Sequence, residues 1–323
     1  MKKLKLRHNT LMRLNTAVAL LLAVPGLLFL LSWIFVEARW AWIVPAVWEA
    51  AMLYGIAFGW RHIVVRRATC SSSLLPESFD GYRVLQFSDL HIGTFYRNPG
   101  FIRKLVNMIN AERPDMIVFT GDMVNVSASE VIPFMKDLAK IKAPDGVFSI
   151  MGNHDYCEYG EDKSEHNIKK NQNVLRHLEE KFGWKLLMNE NALITHPNHP
   201  LDHIAILGVE NISKPPFPNY GNLDQALDGL PRGMFKILLS HDPSHWRRGV
   251  LHQTDIALTL SGHTHAGQIR IGRFSPARWA YNEWGGKYTE GSSMLHVSLG
   301  LGGTVPFRLG AWPELNVITL KKA

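Results

Sequence analysis

The segment LTLSGHTHAG, residues 258–267, is the most informative stretch of this sequence. Its apolar run reaches Gly262, and two histidines, His263 and His265, follow with one residue between them. A glycine lets the backbone turn sharply and approach a ligand closely. The segment therefore predicts a strand that presents two imidazoles at its carboxyl end.

Four other apolar runs end in the same kind of side chain. The runs YRVLQFS, MIVFT, VFSIM and FKILLS are followed by DLH, GD, GNHD and HD, respectively. An aspartate after a strand is more often a helix cap or a turn residue, but turn chemistry alone does not readily produce five such strand ends. Because ligands of open α/β sheets bind outside the carboxyl ends of the strands, the pattern predicts one shared site.

Short apolar runs alternate with amphipathic segments along most of the chain. The predicted strands are 82–88, 116–120, 147–150, 204–209, 235–240, 256–260, 294–299 and 315–320. Helical periodicity over 101–109, 131–141 and 174–182 predicts helices between them. Strands that alternate with helices indicate an α/β domain. The last runs follow one another without a helix, which predicts a second, more antiparallel portion of sheet.

The donor atoms at the strand ends suit divalent cations. They are carboxylate, amide and imidazole groups without a thiolate, a set that fits manganese, iron or zinc. Seven such groups exceed the needs of one ion, so two ions that share a carboxylate are expected. The two cysteines, Cys70 and Cys157, match no Cys-x-x-Cys spacing and predict no disulfide framework.

DLH, GD, GNHD, a lone histidine and GHTH, in this order over residues 89–265, resemble the motifs of the calcineurin-like metallophosphoesterase family. The branch with GHTHxGQ behind an N-terminal membrane segment is the most similar. The resemblance implies an α/β/β/α sandwich of two mixed sheets preceded by transmembrane helices. It also implies metal-dependent hydrolysis of phosphoric ester or diphosphate bonds.

The resemblance implies a role for each motif residue. The implied metal ligands are Asp89, His91, Asp122, Asn153, His241, His263 and His265. Asp122 would bridge two ions, the first completed by Asp89, His91 and His265, the second by Asn153, His241 and His263. His154 would be the general acid or a phosphate contact, oriented by Asp155. Manganese is the expected ion, with iron and zinc as alternatives.

The N-terminal region differs in composition from the rest. The net charge of +7 arises within residues 1–75, so the remaining chain is neutral overall. Nucleic-acid binding requires basic residues gathered on the folded domain, and no nucleic-acid partner is expected. Residues 14–36 carry no charge and exceed the roughly 20 residues that span a bilayer. Their apolar run is longer than that of a signal peptide, which favours a retained anchor.

A second span is predicted at 40–60, where tryptophans stand at both ends. Glu49 inside it leaves an interfacial amphipathic helix as the alternative. Basic residues flank the pair, which places both ends and the catalytic domain in the cytoplasm, at the cell (inner) membrane. With a single span the main domain would face outward. The expected division is an anchor over 1–69, a linker over 70–78 and a catalytic domain over 79–323.

The sequence thus predicts a membrane-anchored phosphodiesterase or pyrophosphatase. Related family members cleave UDP-diacylglucosamine, so a lipid-linked nucleotide sugar is one expected substrate. A broad-specificity phosphodiesterase or nuclease is the alternative, and the complete motif set argues against a non-catalytic scaffold. Residues 279–288, WAYNEWGGKY, are interpreted as a substrate-facing loop, a membrane-facing loop or core. Arg308 is expected to be a structural or surface arginine rather than a phosphate contact.

Overall fold

The computed structural model describes residues 22–35 and 40–323. Its α-helices are α1 (Val24–Phe35), α2 (Ile43–Ala57), α3 (Pro99–Ala111), α4 (Met135–Leu138), α5 (Glu165–Phe182) and α6 (Leu223–Leu227). Its strands are β1 (Val64–Ser72), β2 (Arg83–Phe87), β3 (Met116–Phe119), β4 (Val147–Ser149), β5 (Lys185–Leu186), β6 (Glu190–His196), β7 (His199–Gly208), β8 (Lys236–Leu239), β9 (Leu258–Ser261), β10 (Gly286–Glu290), β11 (Ser293–Val297) and β12 (Glu314–Lys322). Each of the predicted apolar runs contains at least half of one of these strands.

The strands form two mixed sheets. The first has the order β1-β12-β2-β3-β4-β5, and the second has the order β10-β11-β9-β8-β7-β6. Within the first sheet only the β12–β2 pair is antiparallel. Within the second sheet the two outer pairs, β10–β11 and β6–β7, are antiparallel and the central pairs are parallel.

Alternating side chains divide the core into three apolar layers. On β2, Val84 packs between the two sheets while Leu85 packs with α3 and α5 on the outer face. On β7, Ile206 packs between the sheets, and Leu207 packs outward with Trp246 and neighbours on α6. Because successive residues of a strand point to opposite faces, this pattern builds the expected α/β/β/α sandwich.

Local sequence sets the ends of the helices that cover the first sheet. Pro99 begins α3, where its missing N–H costs no hydrogen bond. Ser164 caps α5 by accepting a hydrogen bond from the amide of Asn167, and Gly183 ends that helix with φ 80°. Pro133 lies where a continuous helix over 131–141 was predicted, and the structure has a 3₁₀ segment followed by the short α4.

The C-terminal strands differ from the predicted antiparallel portion. β12 joins the first sheet between β1 and β2, and β11 lies parallel to β9 in the second sheet. The β10–β11 hairpin has the expected antiparallel geometry, and β12 is antiparallel to β2, but in the first sheet. The long connection between β11 and β12 carries the chain from one sheet to the other, which apolar periodicity does not indicate.

The first sheet begins inside the predicted membrane anchor. β1 pairs with β12 along its whole length, from Val64 opposite Glu314 to Ser72 opposite Lys322. It was missed because it is an edge strand with mostly polar, half-exposed residues. The structure thus places the end of the predicted anchor and the start of the predicted linker, residues 64–72, in the first sheet, and the domain boundaries at 69/70 and 78/79 stay predictions.

One helix of the described chain, Ile43–Arg61, is long and apolar enough to cross a membrane by length and composition. It contains α2 and a 3₁₀ turn, and it coincides with the predicted span at 40–60. The described helix α1 is shorter than a span. Of the other predicted span, 14–36, residues 14–21 and residue 36 lie outside the described ranges.

The helix Ile43–Arg61 packs closely on the rest of the chain through two glycines. A Cβ at Gly59 would overlap the carbonyl oxygen of Arg308, and a Cβ at Gly55 would overlap the ring of Phe307. The amide of Arg308 donates to the carbonyl of Gly55 at 3.3 Å. The apolar helix is therefore joined to the domain by backbone contact as well as by chain continuity.

A buried carboxyl on α5 predicts a stability that changes with pH. Burial raises the pKa of Glu179 to about 8 from 4.5, and its carboxyl is hydrogen-bonded to the Ser149 hydroxyl. The folded protein therefore keeps this proton above pH 4.5 whereas the unfolded chain loses it, so stability falls as pH rises towards 8. We expect Glu179→Gln to raise Tm at pH 8.5 by on the order of 5 °C, with a smaller change at pH 5.

The exposed neighbour Glu180 supplies the control, since Glu180→Gln makes the same chemical change outside the core. Thermal unfolding at both pH values is the measurement. An equal Tm difference at pH 5 and pH 8.5 for Glu179→Gln would show that the carboxyl is not the source of the pH dependence.

Candidate metal centre

The candidate ligands lie on short loops directly after strands β2, β3, β4, β8 and β9. β2 bonds β3 and β8 bonds β9 as parallel neighbours, so their carboxyl ends meet. Gln86 links the two sheets at this edge, because its side-chain amide donates to the carbonyl of Ser261 at 2.8 Å. The edge therefore gathers the loops of both sheets around one site.

The backbone of these loops is unusual. Left-handed φ angles occur at Asp89 (50°), His91 (43°), Asp122 (60°), His263 (74°) and His265 (49°). Such conformations cost roughly 1–3 kcal/mol each in residues other than glycine and concentrate at functional sites. Their concentration here indicates that the loops are held in these conformations to aim side chains.

Glycines make room for the carboxylates. A Cβ at Gly152 would overlap Oδ1 of Asp122, and a Cβ at Gly262 would overlap Oδ2 of Asp89. The glycines of GNHD and GHTH are thus required by close approach of the backbone to the ligands.

The first group of ligating atoms comes from Asp89, His91, Asp122 and His265. These atoms all lie within 4.8 Å of one another. Nε2 of His91 is 3.5 Å from Oδ2 of Asp122, and Nε2 of His265 is 3.3 Å from Oδ1 of Asp89. Two carboxylates and two imidazoles therefore converge on one point.

The second group shares Asp122 with the first. The ligating atoms of Asp122, His241 and His263 also lie within 4.8 Å of one another. Nε2 of His241 is 3.3 Å from Oδ2 of Asp122, and Oδ1 of Asn153 is 2.8 Å from Nδ1 of His263. The structure thus brings together all seven residues that the sequence singled out, with the Asp122 carboxylate common to both groups.

The surroundings of the His241 ring nitrogens indicate whether these residues fit a cation. Its Nδ1 lies 2.7 Å from the carbonyl of Thr120, which fixes Nδ1 as the donor. Its Nε2 is buried, has no hydrogen-bond partner and faces Asp122. A buried imidazole nitrogen that faces a carboxylate and is free of other partners among the described residues is a position that a divalent cation can occupy, so the residues fit a metal ion.

The pKa values of three of the candidate histidine ligands are consistent with metal binding. Burial lowers the pKa of His91 to about 3 and that of His263 to about 4, and it lowers the pKa of His265 well below 6.5. These rings are therefore neutral at neutral pH, as metal ligation requires. Burial opposes protonation of His241 too, but the Asp122 and Asp89 carboxylates outweigh it and raise its pKa to about 10. The carboxylates thus attract positive charge to this point.

Asp155 does not orient His154, contrary to the expectation from the resemblance. Its carboxylate accepts hydrogen bonds from the amides of Asp122 at 2.7 Å, Met123 at 2.8 Å, Gly152 at 2.9 Å and Val124 at 3.2 Å. Its position on the turn after β4 points it back into the protein, where these amides would otherwise be unpaired. It therefore fixes the loop that carries Asp122.

His154 is held instead by Asn125, a residue that sequence reasoning did not identify. Nδ1 of His154 lies 2.7 Å from the carbonyl of Asn125, and the Asn125 side chain lies 3.1 Å from Nδ1 of His91. The amide of His154 also donates to Oδ1 of Asp122 at 2.8 Å. Asn125 thus positions two imidazoles of the site, and only its place shortly after the GD motif could have indicated it.

Two further residues support the histidines of GHTH. The hydroxyl of Tyr281 lies 2.7 Å from Nε2 of His263, so part of segment 279–288 faces the site. Arg308 is buried, donates to the carbonyls of Leu299 and Gly302, and lies 3.1 Å from Nδ1 of His265. Arg308 is therefore structural, as expected, although it supports a candidate ligand.

A cavity of about 500 Å³ opens above the two groups. Its polar floor consists of candidate site residues, and its walls include Phe217, Ala280, Tyr281 and Thr304. The ring of Phe217 meets that of His263 edge-on, with centroids 4.9 Å apart. The cavity has room for a phosphate group with an attached organic moiety.

Comparisons with known proteins show which family this chain is similar to. The sequence model of the calcineurin-like phosphoesterase family matches residues 82–267. An uncharacterised metallophosphoesterase of Bacillus subtilis strain 168, YkuE, is 34% identical over 266 residues, covering 78% of this chain and 84% of that protein. A transmembrane protein with metallophosphoesterase domain from Danio rerio is 29% identical, covering 77% of this chain and 55% of its own length. A dimetal phosphatase structure from Danio rerio aligns over 70% of this chain and 90% of its own, with 12% identity and a TM-score of 0.43.

The shared carboxylate predicts separable losses of metal. We expect His263→Ala and His265→Ala each to lose about one of two bound ions, and Asp122→Asn to weaken both, because only Asp122 belongs to both groups. Metal content after loading with Mn²⁺, measured by mass spectrometry on protein with an unchanged circular dichroism spectrum, is the readout.

Two comparisons sharpen this experiment. The double variant that combines His241→Ala and His263→Ala should still retain one ion, because both residues belong to the same group. The double variant that combines His263→Ala and His265→Ala should retain none. The exposed His252 lies outside both groups, so His252→Ala should retain both. Loss of both ions from either single replacement, His263→Ala or His265→Ala, would contradict the assignment.

Proposed function

The chain belongs to the calcineurin-like phosphoesterase family and is a metal-dependent phosphoester hydrolase, and we propose that it is a membrane-anchored enzyme for phosphodiester or pyrophosphate bonds. The observation that carries the proposal is the Asp122 carboxylate common to two groups of ligating atoms. Such a bridge suits two neighbouring ions that act on one phosphate group.

Asp89, His91 and His265 would hold one ion and Asn153, His241 and His263 the other, with Asp122 between them. Two divalent ions supply Lewis acidity that polarises a phosphoryl group and activates water. Manganese is the proposed metal, with iron and zinc as alternatives, because the donors are oxygen and imidazole nitrogen without thiolate.

His154 is the proposed general acid. It lines the cavity, and donation from its Nδ1 to the Asn125 carbonyl leaves Nε2 as the nitrogen that faces a substrate. A protonated ring held in this way donates its Nε2 proton to the departing alkoxide. The Tyr159 ring, 4.5 Å away between centroids, limits the movement of the imidazole. Asp155 contributes by holding the Asp122 loop rather than by touching the substrate.

The proposed anchor is the helix Ile43–Arg61. At about 1.5 Å per residue it is nearly as long as the roughly 30 Å hydrocarbon layer is thick. The name of the similar Danio rerio protein describes that protein as transmembrane. Together with a first span at 14–36, this helix would place the catalytic domain on the cytoplasmic side of the cell membrane, following the basic flanks.

A membrane-anchored site favours a substrate that is itself in the membrane. We therefore place a lipid-linked nucleotide sugar, such as UDP-diacylglucosamine, first among the candidate substrates, by analogy with related enzymes. The second candidate function is a broad-specificity phosphodiesterase. The neutral overall charge of the chain after residue 75 makes long nucleic acids poor substrates.

The first experiment measures hydrolysis by the full chain in detergent. We expect bis(4-nitrophenyl) phosphate to be cleaved with Mn²⁺, the rate to fall to background with a chelator, and Mn²⁺ to restore it. Product analysis with UDP-diacylglucosamine then separates the lipid-specific enzyme from the broad one. Absence of hydrolysis with any divalent metal would favour a non-catalytic scaffold, and a C-terminal topology reporter tests the cytoplasmic placement.

The role of His154 predicts a dependence on the leaving group. We expect His154→Ala to lower kcat on an alkyl phosphodiester by about 100-fold, and to lower it less on a nitrophenyl ester, which leaves without protonation. Bound metal should remain at two ions, because His154 lies in neither group of ligating atoms. The exposed His177, on α5, supplies the matched control His177→Ala.

Steady-state kinetics on the two esters, with metal content measured on the same preparations, test this role. Full activity of His154→Ala on the alkyl ester would remove His154 as the general acid.

A further inference from the structure

A second cavity of about 530 Å³ lies beside the candidate metal centre. It is bounded by the end of the candidate membrane helix, by the loop between β2 and α3, and by the connection between β11 and β12. Its lining residues are Trp60, Arg61, Gly93, Thr94, Tyr96, Arg97, Asn98, Asn125, Thr304 and Pro306. Thr304 also lines the first cavity, so the two spaces adjoin.

The wall between the two cavities is made of residues that already serve the site. Asn125 faces the second cavity, while its side chain lies 3.1 Å from Nδ1 of His91 and its carbonyl 2.7 Å from Nδ1 of His154. Thr94 faces the same cavity and accepts a hydrogen bond from the Asn125 amide group at 3.2 Å. A ligand in the second cavity would therefore lie next to a phosphate held at the metal centre.

The second cavity is lined by two arginines that form no ion pair in the described part of the chain. Neither Arg61 nor Arg97 forms an ion pair within residues 22–35 and 40–323. By contrast, Arg67 and Arg83 both pair with Glu112, at 2.9 Å and 3.1 Å. Unpaired guanidinium groups at a cavity favour an anionic ligand, and phosphate suits their forked geometry.

The surroundings of the two arginines strengthen this preference. The guanidinium of Arg61 lies over the ring of Trp60, with Cζ 4.6 Å from the ring centroid, which holds the charge at the cavity wall. Asn98 immediately precedes α3 and does not cap it, so the positive end of that helix borders the cavity. The nearby Glu130 carboxylate makes no ion pair with either arginine, and its two oxygens accept hydrogen bonds from the amides of Asn125 at 2.7 Å and Val126 at 3.1 Å.

The position of the cavity suits a substrate that comes from the membrane. Trp60 and Arg61 end the helix Ile43–Arg61, and tryptophan and arginine at the end of a span lie at the level of the lipid headgroups. Phosphate groups are concentrated at that level, and the first cavity opens next to it.

We propose that the cavity lined by Arg61 and Arg97 binds a second phosphate group, next to the one that the enzyme hydrolyses. The proposal rests on the proposed phosphoesterase activity, and it makes substrates with two neighbouring phosphates the preferred class. The second phosphate is recognised by the two guanidinium groups, by the amino end of α3 and by the polar side chains of Thr94 and Asn98.

Two chromogenic esters test the proposal with the full chain in phosphatidylcholine nanodiscs and Mn²⁺. Thymidine 5′-(4-nitrophenyl phosphate) carries one phosphate, and its 3′-phosphorylated derivative carries a second. We expect kcat/KM of the wild-type protein to be about tenfold higher for the derivative. In Arg61→Gln with Arg97→Gln the ratio of the two kcat/KM values should fall to about one.

Arg113 provides the matched control. It stands beyond the carboxyl end of α3, away from the cavity, and Arg113→Gln removes the same charge. This variant should keep the wild-type ratio. A wild-type ratio of one overturns the proposal, and so does an unchanged ratio in the double variant. Thermal unfolding of each variant verifies that it is folded.

A second arm distinguishes the two sources of phosphate. In nanodiscs that contain phosphatidic acid, the ratio of the two kcat/KM values is measured again for the wild-type protein. If this ratio is unchanged, the substrate itself supplies the second phosphate. A ratio that falls to about one only in these discs shows that a lipid headgroup occupies the cavity instead. Both results require the arginine cavity, because the ratio for the double variant should be about one in both kinds of nanodisc.

Binding measurements separate failure of this proposal from failure of the proposed function. If the wild-type protein hydrolyses neither ester, the phosphoesterase proposal fails. The cavity is then tested by calorimetry with thymidine 3′,5′-bisphosphate and thymidine 5′-monophosphate. Tighter binding of the bisphosphate by the wild-type protein, lost in the double variant, supports the cavity, and equal affinities overturn it.

Discussion

The rest of the site depends on the hydrogen bonds that the Asp155 carboxylate accepts from the backbone. Four backbone amides donate to its two oxygens, three of them from the loop that carries Asp122. Burial, followed by the nearby Asp122 carboxylate, raises its pKa to about 7, so keeping this group in the core is costly. The amides offset part of that cost and hold Asp122 in a left-handed conformation between two groups of histidines.

Much of this arrangement could be predicted from the sequence because the candidate ligands follow directly after strands. A glycine followed by Asp, Asn or His after an apolar run is a local signal, and the sheets then bring those ends to one edge. The alternation of strands with helices likewise predicted an α/β domain, whereas the two-sheet sandwich was implied by the family resemblance. The metal-ligand roles of these residues remain predictions, whereas their convergence is a property of the fold.

What the sequence did not indicate depends on contacts between distant segments. Asn125, Tyr281 and Arg308 support the histidines from loops whose local pattern is unremarkable, and Asp155 has a different role from the one that its neighbour His154 suggested. β1 was missed for a related reason. Its half-exposed residues show little periodicity, and it is a strand only because β12 is available to pair with it.

The packing of the apolar helix on Arg308 also affects how the enzyme can be divided. Gly55 and Gly59 contact Phe307 and Arg308, and the Arg308 guanidinium lies 3.1 Å from Nδ1 of His265. Trp60 packs against Phe95. A soluble fragment that begins after the helix would therefore lack one wall of the second cavity and the support behind a candidate ligand. The helix Ile43–Arg61 is in this sense part of the domain that carries the candidate metal centre, and keeping the chain intact preserves contacts that truncation removes.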